Sequence, residues 1–430
     1  MKIDGTADKR LAPISRRQAI TGIAAATLCG PAIAETAPPV SDVRIGGPVF
    51  SSSGPDADHY GAVQGFPVSR SVAPEYRVGG FSHFDRIAPT RLIAHSSTPW
   101  EFKRASAEVH YLYQGKQCSL IDYPDRNPVT GLLIAQGDTI LFEHYQYGRT
   151  DRDRLISQSM AKSLVGILIG IAISEGAIKS VDDTTETYVP GFKGTEYGKT
   201  PIRDLLHMSS GVEFGEEADN GRDLDRLWRG LMDPDSGAAK DTVAAITQFN
   251  RRIAPPGTRF CYASIEADVL GMVLRSATGR PVSEYFQEKV WQPIGAEADA
   301  SWLIDAQGFE VVHGFFNAVL RDYARLGRLL AHDGAWNGRQ IFPAQWMIDA
   351  TTVRRADGYL ALGKADPTFG YGYFLWLLPW ARRQFALFGA YGQRICIDPA
   401  SQLVMVHTAV DQGTEIWSLW AALTRHFRAG

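Results

Sequence analysis

The chain has 430 residues, of which 45% are hydrophobic and 21% charged, an ordinary globular composition. A chain of this length can bury a large core without metal or disulfide cross-links. The 44 Lys and Arg residues against 47 Asp and Glu give a formal net charge of −3, which offers no electrostatic basis for binding nucleic acid or an anionic membrane surface. We therefore expect no nucleic-acid partner.

The first 34 residues have the pattern of a signal peptide. The basic pair Arg16-Arg17 precedes an apolar run over residues 19–29, and Ala32-Ile33-Ala34 is a small-residue cleavage sequence. The apolar run is shorter than the ~20 residues that span a bilayer. The paired arginines favour the twin-arginine route, with the general secretory route as the alternative. The pattern predicts a periplasmic or secreted bacterial protein with no stable membrane span after cleavage.

Three cysteines remain after that cleavage, namely Cys118, Cys261 and Cys396. None lies in a Cys-x-x-Cys spacing, so the sequence indicates neither a zinc site nor a disulfide framework. Buried free thiols are the favoured interpretation, with one disulfide as the alternative. We expect no metal and no cofactor.

The predicted elements begin after a lead-in. Residues 35–105 are rich in Gly, Pro and Ser and predict an extended segment that lies over the body of the protein. Two β-prone runs around Gln136-Gly137-Asp138 predict a hairpin over 130–144. A helix that starts near Ser157 is apolar on nearly every face, so it should be central and buried, with Gly176 as its C-cap.

The rest of the chain divides into a helical part and a β-rich part. Residues 180 to about 335 predict mostly helices. Short strands then follow at 371–377, 383–388, 394–397 and 403–408, before a final helix at about 415–427. Strands at both ends of the body, residues 106–430, bracket the helical lobe. This order predicts an α+β fold, an antiparallel sheet flanked by helices with an inserted helical lobe and a site at the seam.

Ser159-Met160-Ala161-Lys162 opens the central helix. Residues three apart share a helical face, so the hydroxyl of Ser159 and the ammonium of Lys162 should meet. The positive end of the helix dipole favours an oxyanion there and lowers the pKa of a nearby lysine. A lysine that can lose its proton can activate a serine. The spacing alone is expected by chance about once in a chain of this length, so its position before a buried helix is what favours a catalytic role over capping.

Two further segments contain candidate site residues. Tyr262-Ala263-Ser264 follows a Pro-Pro-Gly turn, where a phenol could face a cleft, although a core tyrosine gives the same pattern. Gly389-Ala390-Tyr391-Gly392 follows a predicted strand, and glycines there permit close approach of the backbone to a ligand. A backbone N–H in this turn could complete an oxyanion hole.

Together these residues resemble the serine β-lactamase and penicillin-binding superfamily, in particular the class C-like branch of esterases and 6-aminohexanoate-dimer hydrolases. The resemblance covers about residues 125 to 425, in the family's order. The stretches that carry it are SQSMAKS at 157–163, IRDLLHMSSG at 202–211, PGTRFCYAS at 256–264, RDYARLG at 321–327 and FGYGY at 369–373.

The resemblance implies roles for particular residues. Ser159 would be acylated, Lys162 would deprotonate it and Tyr262 would relay protons, with the division of base character between Lys162 and Tyr262 left open. The backbone N–H groups of Ser159 and Ala390 would bind the oxyanion. The substrate would contact Ser264, Gly389, Tyr391 and Gly392.

The sequence departs from class C β-lactamases at two motifs. Their Tyr-x-Asn is Tyr262-Ala263-Ser264 here, and no Lys-Thr-Gly triplet occurs near residues 384–392. The resemblance therefore implies a hydrolase of a small amide or ester that works through an acyl-enzyme. The alternatives are a β-lactamase or D-alanyl-D-alanine carboxypeptidase that acts on cell-wall peptides, and a penicillin-binding protein that is acylated without turnover.

Overall fold

The computed structural model describes residues 72–73, 76–82, 84–216, 222–233, 237 and 239–428. The predicted signal peptide and the first part of the predicted lead-in lie outside these residues. Among the helices in the described ranges, none is both long enough and apolar enough to cross a bilayer.

The described residues contain eleven α-helices, which are α1 Arg77–Ser82, α2 Tyr123–Arg126, α3 Met160–Ser174, α4 Ile202–Leu206, α5 Arg222–Met232, α6 Thr242–Thr247, α7 Ile265–Thr278, α8 Val282–Phe286, α9 Leu320–Ala331, α10 Ala344–Ala350 and α11 Glu415–His426. The strands in the same ranges are β1 Thr90–Ile93, β2 Lys103–Arg104, β3 His110–Tyr113, β4 Lys116–Ser119, β5 Val129–Gln136, β6 Thr139–Tyr145, β7 Leu155–Ile156, β8 Ala300–Leu303, β9 Phe316–Ala318, β10 Ala335–Trp336, β11 Arg339–Gln340, β12 Gly370–Tyr371, β13 Trp376–Leu377, β14 Phe385–Gly389, β15 Gln393–Asp398 and β16 Leu403–Ala409.

The main sheet is built from both ends of the body, as the sequence predicts. Its eight strands follow the order β12-β13-β14-β15-β16-β5-β6-β2. All neighbours are antiparallel except β2, which pairs in parallel with β6. The predicted hairpin is the β5–β6 pair, and β16 joins β5 along almost its whole length. The prediction of an antiparallel sheet flanked by helices is confirmed.

The central helix α3 is also confirmed, although it begins at Met160 rather than near Ser157. All but its last two residues are buried, because apolar side chains occupy every face and glycines allow close packing. A Cβ on Gly170 would come within 2.6 Å of the Trp346 indole. Gly176 has a positive φ of 77° directly after the C-cap residue Glu175.

A second sheet was not expected. Four short strands pair in the order β1-β8-β9-β7, so β8 and β9 interrupt the lobe that the sequence predicts as mostly helical. β1 comes from the predicted lead-in and pairs in register with β8. This sheet positions the serine, because β7 leads into Ser159 and pairs with β9.

One further expectation differs from the structure. The strand predicted over residues 371–377 is two two-residue strands, β12 and β13, joined by a tight turn in which Phe374 has a positive φ of 54°.

The favoured interpretation of the cysteines as free thiols is confirmed. The three cysteines within the described residues are unbridged; Cys118 and Cys396 are buried, as expected, whereas Cys261 is only partly buried.

Candidate active site

Ser159 lies at the N-terminus of α3, directly after a strained residue. Gln158 has a positive φ of 44°, a conformation that costs energy for a residue with a side chain. The preceding Ser157 is tied to β9, because its N–H donates to the Phe316 carbonyl at 2.7 Å and its Oγ accepts from the Phe316 N–H at 3.1 Å. Gln158 and Met160 are buried, whereas Ser159 is partly exposed. The backbone therefore presents this one hydroxyl toward solvent.

The Lys162 side chain is buried and meets Ser159 one helical turn away, as the i, i+3 spacing predicts. Its Nζ donates to Ser159 Oγ at 2.8 Å and to the backbone carbonyl of His313 at 2.7 Å. Burial lowers the pKa of Lys162 to about 8, while the negative charges of Glu216 and Asp268 oppose that shift. A lysine with this pKa can exchange a proton with a serine near neutral pH.

Tyr262 lies close to the Lys162 ammonium. The Lys162 Nζ is 5.1 Å from the centroid of the Tyr262 ring, within cation–π range. The ring stacks on Trp376 at 5.9 Å, and the Cys261 N–H donates to the Met208 carbonyl at 2.8 Å. Strand β13 and the turn after α4 thus position the tyrosine, and the structure brings Ser159, Lys162 and Tyr262 together.

Ser264 is buried at the start of α7 and has a partner within the protein. Its Oγ donates to Glu216 Oε1 at 2.7 Å, and its backbone N–H donates to the other Glu216 oxygen. The Glu216 carboxylate therefore satisfies backbone and side chain at the positive end of this helix. The substrate contact expected for Ser264 stays a prediction.

The turn Gly389–Gly392 lies against the segment that precedes the serine. A Cβ on Gly389 would overlap the Ser157 carbonyl oxygen and come within 2.9 Å of Gln158 Cβ. The Gln393 side chain fixes the turn, since its Nε2 donates to the carbonyls of Ala390 at 3.1 Å and Ala409 at 2.6 Å. The turn that contains Ala390 therefore lies close to the segment before the nucleophile. The oxyanion-hole role expected for the backbone N–H of Ala390 stays a prediction.

The Tyr391 side chain packs toward α1. Its φ is 60°, its ring lies 5.4 Å from that of Phe81, and the Arg77 guanidinium lies 4.0 Å from its centroid. Helix α1, which belongs to the predicted lead-in, thus contacts the turn that contains Ala390. The roles expected for Gly389, Tyr391 and Gly392 in substrate binding stay predictions.

The sequence analysis missed two buried residues at the site, His313 and Asp268. Asp268 lies in α7 one turn after Ser264, and its two oxygens meet the Nδ1 and the backbone N–H of His313 at 2.7 and 3.2 Å. No local pattern marks this pair, because the two residues are 45 positions apart in the chain. Within the part of the chain that the structure describes, no cluster of three His, Cys, Asp or Glu residues is arranged to bind a metal ion.

An antiparallel sheet, a buried helix with Ser159 and Lys162 at its N-terminus and a glycine turn beside them define a β-lactamase-type hydrolase fold. The Beta-lactamase family matches residues 126–417, and the chain belongs to that family.

Comparison with named proteins shows what this chain is similar to. The 6-aminohexanoate-dimer hydrolase of Paenarthrobacter ureafaciens is 28% identical over 66% of this chain and 74% of that protein. An Escherichia coli protein provisionally named a D-alanyl-D-alanine carboxypeptidase is 29% identical over 35% of this chain, and the match spans 31% of that protein. A solved structure from Bacillus anthracis, provisionally named a 6-aminohexanoate-dimer hydrolase, superposes with a TM-score of 0.74, covering 83% of this chain and 94% of that one at 24% identity. The chain is a hydrolytic enzyme of the amide- or ester-cleaving type.

Proposed function

We propose that this protein hydrolyses a small amide or ester through an acyl-enzyme on Ser159. The observation that carries the proposal is the buried Lys162 Nζ, 2.8 Å from Ser159 Oγ, with a pKa lowered by burial to about 8. Serine is a weak nucleophile at its ordinary pKa and needs such a base within hydrogen-bond reach.

In acylation, the neutral Lys162 amine takes the Ser159 proton as Oγ bonds to the substrate carbonyl carbon. The oxyanion of the tetrahedral intermediate accepts from the backbone N–H groups of Ser159 and Ala390. As the intermediate collapses, the bond to the leaving amine or alcohol breaks. The leaving group receives the proton from the Lys162–Tyr262 pair, which titrates as a coupled unit. Water then attacks the acyl carbon and gives a proton to that pair. The bond between the acyl carbon and Oγ breaks, the acid product leaves, and the pair returns the proton to Ser159 Oγ.

The substrate class is argued from the strand beside the site. The five residues of β14 are Phe-Ala-Leu-Phe-Gly, so this strand offers no ammonium for the carboxylate of a β-lactam. The Tyr262 and Trp376 rings supply an aromatic surface next to Lys162. We therefore place linear amides and short-chain esters ahead of β-lactams and D-alanyl-D-alanine peptides. The name of the Paenarthrobacter relative makes a linear 6-aminohexanoate amide the first substrate to test.

The experiment compares steady-state hydrolysis of the 6-aminohexanoate dimer, short-chain p-nitrophenyl esters, nitrocefin and D-alanyl-D-alanine peptides. We expect sustained turnover of an amide or ester by the wild type and a loss of about 10⁴-fold or more in Ser159→Ala. Ser174→Ala is the matched control, because Ser174 lies in the same helix, is exposed, and donates its hydroxyl back to the Ile171 carbonyl.

Other outcomes would contradict the proposal. Full activity in Ser159→Ala would remove Ser159 as nucleophile. Turnover of nitrocefin or the peptides alone would favour the cell-wall alternatives, and a single burst without turnover would indicate a penicillin-binding protein that is only acylated.

We also propose that the protein is exported to the periplasm or beyond, after cleavage behind Ala34. The support is the basic pair, the short apolar run and the Ala-x-Ala sequence. The mass of the chain recovered from the periplasmic fraction of an expressing bacterium should correspond to an N-terminus at Glu35. A full-length chain retained in the cytoplasm would contradict export.

A further inference from the structure

The carbonyl that accepts from Lys162 belongs to a residue that is fixed from a second direction. His313 and Asp268 are both about 95% buried. Asp268 Oδ2 lies 2.7 Å from His313 Nδ1, and Oδ1 accepts from the His313 backbone N–H at 3.2 Å. One carboxylate thus engages the ring and the backbone of the same residue, and the carbonyl of that residue lies 2.7 Å from Lys162 Nζ.

The chemistry of a neutral amine makes the position of this carbonyl consequential. A neutral lysine has two N–H bonds and one lone pair, and the carbonyl of His313 can only accept. One N–H must therefore point at His313, which fixes the rotation about the Cε–Nζ bond. The lone pair is then confined to one of the two remaining staggered directions. Ser159 Oγ, whose proton the lone pair must accept, lies 2.8 Å from Nζ. A displaced carbonyl would turn the lone pair away from the proton it must accept.

The Asp268 charge also acts on the same amine. The charged or titratable residues around Lys162 come from four other places in the chain: Asp268 of α7, Glu216 before α5, Tyr262 before α7 and His313 before β9. The two carboxylates raise the pKa of Lys162 against the larger lowering by burial. Loss of one carboxylate should therefore move the titration of Lys162 to lower pH.

We propose that Asp268 is a positioning residue that, through His313, orients the Lys162 amine toward Ser159. The proposal rests on the proposed function of Ser159 and Lys162. Asp268 touches neither of these side chains, so its effect on the reaction is transmitted through the His313 backbone and through its charge.

The test measures the rate at which a fluorophosphonate labels Ser159, by intact mass, between pH 5.5 and 10 in the wild type and Asp268→Asn. An amide keeps the shape but loses the charge, and its NH₂ group faces one of the two His313 donors. In Asp268→Asn we expect the midpoint of the rate profile to fall by about one pH unit. We expect the plateau rate to fall by about 10- to 100-fold, since a misplaced catalytic group is costly.

Glu266→Gln is the matched control. Glu266 is buried in the same helix, burial raises its pKa far above the ordinary carboxyl value, and its partner is Ser210 rather than any residue of the site. The charges that act on Lys162 are those of Glu216 and Asp268, and this substitution leaves both in place. Both its midpoint and its plateau should match the wild type.

A second pair of variants tests the path through His313. Asparagine can place its amide nitrogen where the histidine has Nδ1, so His313→Asn should keep the plateau rate within about threefold. His313→Ala loses that donor, and its plateau should fall by about tenfold or more.

An unchanged plateau rate in folded Asp268→Asn would overturn the positioning role, and an unmoved midpoint would contradict the effect of the Asp268 charge on Lys162. Equal rates in His313→Asn and His313→Ala would overturn the positioning role as well. A wild type that is unlabelled at every pH would instead overturn the proposed function, and this inference with it.

Discussion

Lys162 and Arg394 are both buried cations, and their surroundings differ in kind. Lys162 lies at the start of α3 with two oxygen partners, Ser159 Oγ and the His313 carbonyl. Arg394 lies in β15, where its guanidinium is 4.8 Å from the Trp417 ring centroid and 5.7 Å from that of Phe388. Burial lowers the pKa of both side chains.

The difference shows how burial alone does not define a catalytic base. An amine can lose its proton near neutral pH, so burial converts Lys162 into a base beside the serine. A guanidinium begins from a much higher pKa and stays charged, and aromatic faces are the stabilising partners that the structure gives it. We expect Lys162 to control activity and Arg394 to control stability.

The largest expected effect is that of Lys162→Met. The substitution keeps the volume of the side chain and removes the proton acceptor, so hydrolysis and fluorophosphonate labelling should fall by about 10³-fold or more. Both are measured by steady-state kinetics and by mass after labelling. If the variant keeps a tenth of the wild-type rate, Lys162 is not the general base, and Tyr262 is the first alternative.

Lys162→Met should also change how the free energy of unfolding depends on pH. The pKa of Lys162 is 10.5 in the unfolded chain and about 8 in the folded protein. The cost of burying this lysine to the free energy of unfolding is therefore fully present below pH 8. This cost disappears as the pH rises from about 8 to 10.5. The unfolding free energy of Lys162→Met relative to the wild type should therefore decrease by about 3 kcal/mol across that window. A difference that is flat with pH, from urea denaturation, would contradict the shifted pKa.

Gly389→Ala should have the next largest effect on activity. The added Cβ would overlap the Ser157 carbonyl and force the Ala390 turn away from the serine. We expect a loss of about 100-fold in kcat. Gly358→Ala is the control, because no atom lies within 4 Å of the Cβ position there and the φ is not positive. Equal kcat values in the two variants would show that the turn does not shape the site.

Arg394→Ala should have the smallest effect on activity and a clear one on stability. Losing a buried side chain that lies against the Phe388 and Trp417 rings should lower the unfolding free energy by about 2–4 kcal/mol. The labelling rate of Ser159 should stay within about threefold of the wild type. A tenfold lower rate in folded protein would remove the contrast between the two buried cations.

The parts of this fold that could be predicted are those that local pattern specifies. The β5–β6 hairpin has a turn sequence between two β-prone runs, and α3 is a continuous apolar run. Ser159 and Lys162 are three residues apart in one helix, so their contact follows from helical geometry.

The parts that could not be predicted depend on distant segments. The β1-β8-β9-β7 sheet is made of strands two to four residues long, too short for a periodic signal, and they come from three regions of the chain. The carbonyl that accepts from Lys162 is 151 residues away from it in the sequence. Only the tertiary fold brings these groups together.

The most direct test of the central claim is the intact mass of the protein after incubation with a fluorophosphonate, for the wild type and for Ser159→Ala. We expect one covalent adduct on the wild type and none on the variant, which would establish Ser159 as the activated nucleophile. An adduct that persists in Ser159→Ala, or no adduct on folded wild-type protein, would contradict the claim that this serine carries the reaction.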